Sequence, residues 1–142
     1  MSLCRAMSAL LLSPVISSPS ISRAAEQAQE HPIVAQVKAA VSDLAKPFTL
    51  IVRLTIKDGA AEKFQAAFAK AAKATRQEKG NRAYDLNRDA KTPTRYLLYE
   101  RWQNLAALQT HLKSAHITTL FAELGDLLAM PPEATVFVPA GD

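Results

Sequence analysis

The chain has 142 residues, of which 49% are hydrophobic and 6% aromatic, and its formal net charge is +4. This length is ordinary for one domain, and the apolar fraction is sufficient for one hydrophobic core. The basic residues are spread along the chain without an aromatic-basic stripe, which argues against a nucleic-acid platform. The lone cysteine, Cys4, excludes a disulfide framework within the chain and a thiolate-rich metal site.

Residues 1–25 differ from the rest in composition, because they contain no acidic residue. Arg5 precedes an apolar run from Ala9 to Ile16, and the small residues Ser22 and Ala24 resemble a cleavage site. This pattern is typical of a secretory signal peptide. The apolar run is shorter than the roughly 20 residues that span a bilayer, so we expect no stable membrane insertion.

Two other interpretations of residues 1–25 remain open. The serine-rich, acid-free composition also suits an organelle transit peptide. A disordered tail that follows a misplaced start codon is the third interpretation. In each case we expect the segment to lie outside the fold. An exported protein, periplasmic or secreted, is expected if the segment is a signal peptide, and a cytoplasmic protein otherwise.

Residues 26–46 predict a helical extension. Apolar residues spaced by three and four positions form one stripe, which comprises Ile33, Val34, Val37, Val41 and Leu44. The pair Lys46-Pro47 ends this helix, because proline lacks the backbone N–H that a helix interior requires. We expect the helix to pack on the following domain or on a partner subunit.

The domain from residue 47 to residue 142 begins with a strand and a long helix. Side chains alternate from Phe48 to Ile56, which predicts a strand with one apolar face. After the turn at Lys57 to Gly59, a helix is predicted from about Ala60 to Lys79. Its inner side carries Phe64, Phe68, Ala71, Ala72 and Thr75. Gly80 follows where a left-handed cap is favoured.

The second half of the domain repeats strands and helices. Strands are predicted at about Ala83 to Arg88 and at Arg95 to Trp102, joined by a turn, and Asn104 is expected to cap the next helix. That helix carries Leu105, Leu108 and Leu112, and a further helical stretch carries Ile117, Leu120, Phe121, Leu124, Leu127 and Leu128. Pro131 and Pro132 end the helical stretch, and Ala134 to Val138 is the last strand.

The order β-α-β-β-α-β predicts an α+β domain in which helices cover one face of an antiparallel sheet. The other face would carry Ile51, Leu97 and Tyr99 beside polar residues. A surface of this kind is too apolar to remain in water, so we expect a homodimer to cover it.

The strand Arg95 to Trp102 ends in Tyr-Glu-x-Trp and is followed by an Ala-Leu-x-x-His helix, with His116 five residues beyond His111. This pattern resembles the antibiotic biosynthesis monooxygenase (ABM) family. The resemblance covers Phe48 to Pro139 and includes Lys79-Gly80-Asn81. It implies a ferredoxin-like fold that forms a dimeric α+β barrel.

The resemblance implies several chemistries, because the family includes cofactor-independent quinol and polyketide oxygenases, haem-degrading enzymes and an isomerase of a phosphorylated autoinducer. Haem-degrading members have Asn, His and Trp where this chain has Val52, Phe121 and His111. Actinorhodin-type oxygenases share Trp102, but Leu98 and Leu108 replace their Asn and Tyr. Quinol-oxygenase-like and isomerase-like members, which keep the Glu and both His, fit best.

Glu100, His111 and His116 are the candidate catalytic residues. Glu100 alternates with aromatic side chains, and burial on that face would raise its pKa and make it a general base. The alternative is that Glu100 pairs with an arginine such as Arg53 or Arg82 and that the neighbouring tryptophan is only a core residue. Imidazoles move protons near neutral pH, although a half-buried histidine is more often structural.

The candidate substrate-binding residues are Trp102, Tyr84, Tyr99 and Arg53. The two tyrosines are possible phenolic donors, and Tyr99 falls on the strand face opposite Glu100. The chain has three histidines, one of which precedes the domain, so no metal ligands are predicted.

These residues lead to two hypotheses. The first is a cofactor-independent monooxygenase that uses dioxygen to oxidise a quinol or phenolic small molecule. Because no flavin or metal motif is recognisable, no cofactor is expected and the substrate is the reductant. The alternative is an isomerase, or a non-enzymatic small-molecule binder, that uses the same pocket. A phosphorylated substrate would need cations, for which Arg53, Arg82 and Arg95 are the candidates.

Overall fold

The computed structural model describes residues 30–141, so the expected targeting segment, residues 1–25, lies outside the described residues. The helices and strands are α1 (Pro32–Ala40), β1 (Phe48–Thr55), α2 (Ala61–Thr75), β2 (Asn81–Arg88), β3 (Arg95–Trp102), α3 (Leu105–Leu112), α4 (Ala115–Leu124) and β4 (Glu133–Phe137). None of the described helices is long and apolar enough to cross a membrane.

The four strands form one antiparallel sheet in the order β2-β3-β1-β4. In the register of this sheet, Glu100 on β3 lies between Leu50 on β1 and Tyr84 on β2. Side chains of strand residues that pair in this way point to the same face. The α+β, ferredoxin-like fold expected from the sequence is therefore confirmed.

The core lies between the inner face of the sheet and the helices. The alternation along β1 and β3 is confirmed, because Phe48, Leu50 and Leu54 are buried, as is every second residue of β3 from Tyr96 to Trp102. The predicted inner side of α2 is also buried, from Phe64 to Thr75. Burial of one large apolar side chain contributes about 1.5–3 kcal/mol to folding.

Helix α1 ends at Ala40, four residues before the end of the predicted apolar stripe. Val41 takes an extended conformation, and its N–H still donates to the Val37 carbonyl at 2.9 Å. Asp43 then bends the chain, because its carboxylate accepts from the Ala45 N–H at 3.0 Å. Aspartate favours such turns over a helix interior for this reason. Val41 nevertheless remains in the core.

Helix α2 ends at Thr75 rather than near Lys79. The backbone hydrogen bonds there join residues three apart instead of four, as in the bond from the Glu78 N–H to the Thr75 carbonyl at 2.9 Å. The Arg76 guanidinium, just beyond the end of α2, donates to the carbonyl of Tyr84 on β2 at 2.8 Å. Glu78 therefore lies in a turn beside the start of β2.

Helix α4 ends at Leu124, so it is shorter than the helical stretch that the apolar pattern predicts as far as Leu128. Leu127 is buried beyond the helix, and Leu128 forms an isolated bridge with Ile56. Phe121 was expected on the inner stripe, but its side chain is 44% exposed.

Gly80, which directly precedes β2, provides a test of the close contact between this turn and Ala107 of α3. Its φ is +124°, and an added Cβ would lie 2.6 Å from the Ala107 Cβ. Gly59 also has positive φ, +76°, but nothing lies within 4 Å of an added Cβ. We expect Gly59→Ala to lower the free energy of unfolding by about 1–2 kcal/mol through backbone strain. Gly80→Ala should lower it by a further ~1–3 kcal/mol, through overpacking and through the greater strain of an alanine at φ +124°.

Urea denaturation of both variants measures these losses. Equal losses for Gly59→Ala and Gly80→Ala would show that the contact between Gly80 and α3 is not tightly packed.

Candidate functional site

Glu100 is a buried carboxyl group on the inner face of the sheet, with a side-chain exposure of 7%. The indole Nε1 of Trp102 donates a hydrogen bond to Glu100 Oε2 at 2.8 Å. Burial raises the pKa of Glu100 to about 7, although the Trp102 hydrogen bond opposes this rise. The charge on Glu78 raises the pKa further in the same direction. Glu100 is therefore poised to exchange a proton near neutral pH.

A cavity of about 400 Å³ lies between the sheet and the helices. This volume is within the range of small-molecule sites, which is roughly 300–1,000 Å³. Leucines and other apolar side chains form most of the wall. Glu100, His111 and Tyr84 are the buried polar residues of the lining, and His31 and Gln36 are the exposed ones. The described lining residues include no lysine and no arginine.

His111 reaches this cavity from helix α3 and is 3% exposed. Its ring lies 4.6 Å from the Trp102 ring and 5.5 Å from the Tyr84 ring, measured between centroids. Burial, with a contribution from the charge on His116, lowers the pKa of His111 to about 3. The imidazole is therefore neutral at physiological pH.

Glu78 contacts both histidines of the motif. Its Oε2 lies 2.8 Å from His111 Nδ1, and its Oε1 lies 3.0 Å from His116 Nε2. An ionised carboxylate only accepts hydrogen bonds, so in that state the His111 proton is on Nδ1. Nε2 of His111 then carries a lone pair, and no described group hydrogen-bonds to it. This nitrogen is therefore the one available to a ligand in the cavity.

The three side chains lead from the interior toward the surface. The exposed fraction of the side chain rises from 3% at His111 to 19% at Glu78 and 25% at His116. Ser114 Oγ lies 3.3 Å from His116 Nε2 and fixes this ring at the junction of α3 and α4. Burial raises the pKa of Glu78, while the nearby His116 lowers it. Such a chain of hydrogen bonds can carry a proton between the cavity edge and solvent.

Tyr84 completes the aromatic wall of the site. It stacks on Phe68 with ring centroids 5.6 Å apart and is buried on the inner face of β2. Burial and the charges of Glu100 and Glu78 all raise its pKa above the ordinary value. Tyr84 is therefore a neutral phenol at physiological pH.

The structure brings together only some of the residues that the sequence analysis named. Glu100, His111 and Tyr84 line the cavity, Trp102 binds Glu100, and His116 is joined to the site through Glu78. Arg53 and Tyr99 were expected to bind substrate, but both lie on the opposite face of the sheet because of strand alternation. Neither lines this cavity.

The arginine pairings considered for Glu100 are also absent among the described residues. Arg53 donates to Thr135 Oγ1 at 3.3 Å, and Arg82 donates to Gln103 Oε1 at 2.8 Å. Arg53 and Arg95 line a different pocket of about 540 Å³ at the other face of the sheet. Glu100 is consequently held by an indole rather than by a cation.

Glu78 was missed by the sequence analysis. The sequence pattern predicts that Glu78 lies in the last turn of a helix, where an acidic residue is usually a solvated surface group. The one available signal was its position directly before Lys79-Gly80-Asn81, a segment that the family resemblance already included.

Glu78, His111 and His116 also form the donor set, within residues 30–141, that could hold a metal ion. Their ligand atoms all lie within 4.8 Å of one another, although no metal ligands were predicted from the sequence. Two imidazoles and a carboxylate suit zinc and similar divalent ions. Each Glu78 oxygen already contacts one ring nitrogen, so an ion would have to displace the protons of both contacts.

The sequence profile of the antibiotic biosynthesis monooxygenase family matches residues 47–123. An isomerase of (4S)-4-hydroxy-5-phosphonooxypentane-2,3-dione from Yersinia enterocolitica is 30% identical over 88 residues, which cover 62% of this chain and 92% of the isomerase. The Mycobacterium tuberculosis protein named "Putative monooxygenase Rv0793" is 31% identical over 96 residues, which cover 68% of this chain and 94% of that protein.

Two solved structures show the same fold. The structure of Rv0793 has a TM-score of 0.64 at 31% identity, and the aligned region covers 68% of this chain and 98% of the Rv0793 chain. The structure of PA3566 from Pseudomonas aeruginosa has a TM-score of 0.64 at 24% identity and covers 70% of this chain and 99% of its own.

The raised pKa of Glu100 predicts a pH-dependent stability. Its carboxyl has a pKa of about 7 in the folded chain and an ordinary value of 4.5. Between pH 4.5 and pH 7 the folded chain therefore keeps a proton on Glu100 that the unfolded chain has released. The associated stability is fully present below pH 4.5 and is lost as pH rises through 7, by on the order of 3 kcal/mol. Glu100→Gln should remove this loss.

Chemical denaturation from pH 4.5 to pH 8.5 measures the effect. The free energy of unfolding of Glu100→Gln minus that of the wild type should increase with pH. Glu62→Gln removes an exposed carboxylate from α2 and controls for the change in net charge. A Glu100→Gln difference that stays constant with pH would contradict the prediction.

Proposed function

The chain belongs to the antibiotic biosynthesis monooxygenase family, and we propose that it is a cofactor-independent monooxygenase of a quinol or phenolic small molecule. The observation that carries the proposal is the buried Glu100 carboxyl, whose pKa is about 7, at the wall of an apolar cavity. A carboxylate of this kind is a stronger base than an ordinary glutamate and operates near neutral pH.

Glu100 would accept the proton of a phenolic hydroxyl. The ordinary pKa of a phenol is about 10, which is higher than that of Glu100, so the transfer of the proton to Glu100 is unfavourable by itself. The transfer proceeds because the phenolate reacts as it forms. The electron-rich anion would then pass an electron to dioxygen. In the overall reaction a quinol and dioxygen become a hydroxyquinone and water. One oxygen atom enters the ring, the substrate supplies all four electrons, and the proton taken by Glu100 leaves with the water.

His111 would assist at the oxygen atom of the substrate. Its ring is neutral, its Nδ1 is fixed by Glu78, and its Nε2 has no described partner. A neutral imidazole can accept a hydrogen bond from a second hydroxyl group at this nitrogen. Glu78 is a positioning residue, because it holds the ring and does not line the cavity.

The side chains that line the cavity favour an uncharged aromatic substrate over a phosphorylated one. A bound phosphate is usually held by arginine or lysine side chains. The described lining of the cavity contains neither, and Arg53 and Arg95 line the pocket on the other face. Apolar walls with few polar groups suit a planar ring with one or two hydroxyls.

An isomerase is the second candidate, and the relative from Yersinia enterocolitica is the observation that favours it. Isomerisation beside a carbonyl needs a base and an acid, for which Glu100 and His111 are suitably close to the same cavity. An isomerase would convert its substrate at the same rate without dioxygen. A non-enzymatic binder would hold the ligand unchanged under both conditions.

Menadiol tests the proposed oxygenase. Wild-type protein in air should form a hydroxylated naphthoquinone that contains one atom from isotopically labelled dioxygen, measured by mass spectrometry. Glu100→Gln should lower kcat about 100-fold or more, because a general base contributes roughly 10²–10⁴ in rate.

Spontaneous oxidation of menadiol gives menadione without an added oxygen atom, so the isotope label separates the two reactions. Glu62→Gln should keep the wild-type rate. Equal hydroxylated product in air and under nitrogen would exclude the oxygenase proposal.

We also propose that the outer face of the sheet forms a homodimer. Ile51, Leu97 and Tyr99 are only partly buried in one protomer, and Phe137 on the edge strand is 49% exposed. Charged residues such as Arg53 lie among them. A surface with apolar and polar parts is typical of a subunit interface.

Leu97→Asp should disrupt this dimer, because it places an unpaired charge in the interface at a cost of several kcal/mol, on the order of 3–5. Light scattering should give a dimer for the wild type and a monomer or an aggregate for the variant. Ala66→Asp adds the same charge to an exposed face of α2 and should remain dimeric. A wild-type monomer at micromolar concentration would contradict the proposal.

A further inference from the structure

Helix α1 precedes the part of the chain that matches the family, which begins at residue 47. It is nevertheless part of the hydrophobic core, because Val34 and Val37 are 3% and 0% exposed. The segment after it is joined to α3 by a hydrogen bond from the Leu105 N–H to the Leu44 carbonyl at 3.0 Å. The N-terminal extension is therefore a fixed element of the described fold.

The first turn of α1 forms one wall of the cavity. His31, Pro32, Ile33 and Gln36 all line it, as do Phe121 and Leu124 of α4. Ile33 is partly buried against the core, so its side chain occupies space beside the cavity. A side chain in this position limits the volume that a ligand can fill.

The two walls meet through an aromatic pair. The His31 ring stacks on the Phe121 ring with centroids 5.6 Å apart and an interplanar angle of 21°. Both residues are exposed in part, so the pair lies where the cavity approaches the surface. His31 is also the N-cap of α1, since its Nδ1 accepts from the Ile33 N–H at 3.3 Å. This bond caps the first turn of α1, and the stacking on Phe121 is the contact of the same ring with α4.

We infer that the N-terminal extension is a specificity-determining wall of the cavity, with Ile33 setting the size of the aromatic ring system that fits. The aromatic class of the ligand rests on the proposed function, whereas the position of the wall does not. The extension lies outside the residues matched by the family profile, so this size limit is a property of this chain rather than of the shared domain.

Two quinones of different size test the wall. Duroquinone has one ring and 2,3-dimethyl-1,4-naphthoquinone has two fused rings, and neither has a free quinone-ring position for addition of thiols or amines. Binding is measured by quenching of Trp102, the one tryptophan of the chain. Its ring lies 4.6 Å from that of the cavity residue His111, between centroids.

Ile33→Phe should raise the Kd of the naphthoquinone by about tenfold and that of duroquinone by less, because overpacking penalises the larger ligand. Ile33→Ala should shift the preference in the opposite direction, toward the two-ring compound. Ala39→Phe adds the same side chain to an exposed position of α1 that does not line the cavity. It should leave both Kd values unchanged.

Opposite shifts in the two Ile33 variants support the wall, since a merely destabilised protein would lose affinity for both quinones alike. Unchanged preference in both variants overturns it, and the menadiol reaction can still stand in that case. If neither quinone quenches Trp102 in the wild type, the aromatic ligand class fails and the inference fails with it.

Discussion

The hydrogen bond between Trp102 Nε1 and Glu100 Oε2 is the interaction on which the site depends. A carboxyl group in an apolar interior is costly unless it is paired or protonated. Here the described partner is a neutral indole donor, which reduces the cost but does not neutralise a charge. Glu100 therefore retains a high pKa and keeps its basicity for a ligand. An arginine partner in the same place would have lowered the pKa and removed that basicity.

The network of Glu78 and the two histidines adds a second proton-active group at the same wall. Burial keeps His111 neutral, and the charge on His116 acts in the same direction. Because Glu78 accepts at Nδ1 when it is ionised, it selects the tautomer in which Nε2 carries the lone pair. Glu100 and His111 thus provide two groups with pKa values displaced in opposite senses, which is a common arrangement for acid-base chemistry.

The fold does not choose among the reactions that this arrangement allows. Relatives with similar sequence are named for an isomerase and for a monooxygenase activity, and a shared fold does not by itself fix a function. The difference must lie in the groups that line the cavity. In this chain those groups are mainly apolar, and the first turn of α1 contributes part of the wall from outside the shared domain.

Much of the fold follows from local patterns in the sequence. The alternation in β1 and β3 assigned Glu100 and Trp102 to the buried face, because the side-chain period of a strand is fixed by its backbone. Asn104 caps α3 through the Ala107 N–H at 2.9 Å, as its position predicted. The predicted ends of α1 and α2 were less accurate. Both helices end before the predicted residue, because the chain turns at Asp43 and because Arg76 contacts β2.

The sequence by itself determined the order of elements, the inner face of each strand and the family. Only the tertiary structure decided which polar residues share a cavity. Glu78 meets His111 across 33 residues of chain, and His31 at the start of α1 stacks on Phe121 of α4. Arg53 and Tyr99 are close to Glu100 in the sheet but face the other side. Local periodicity assigns a side chain to a face, whereas contacts between distant segments depend on how the helices pack over the sheet.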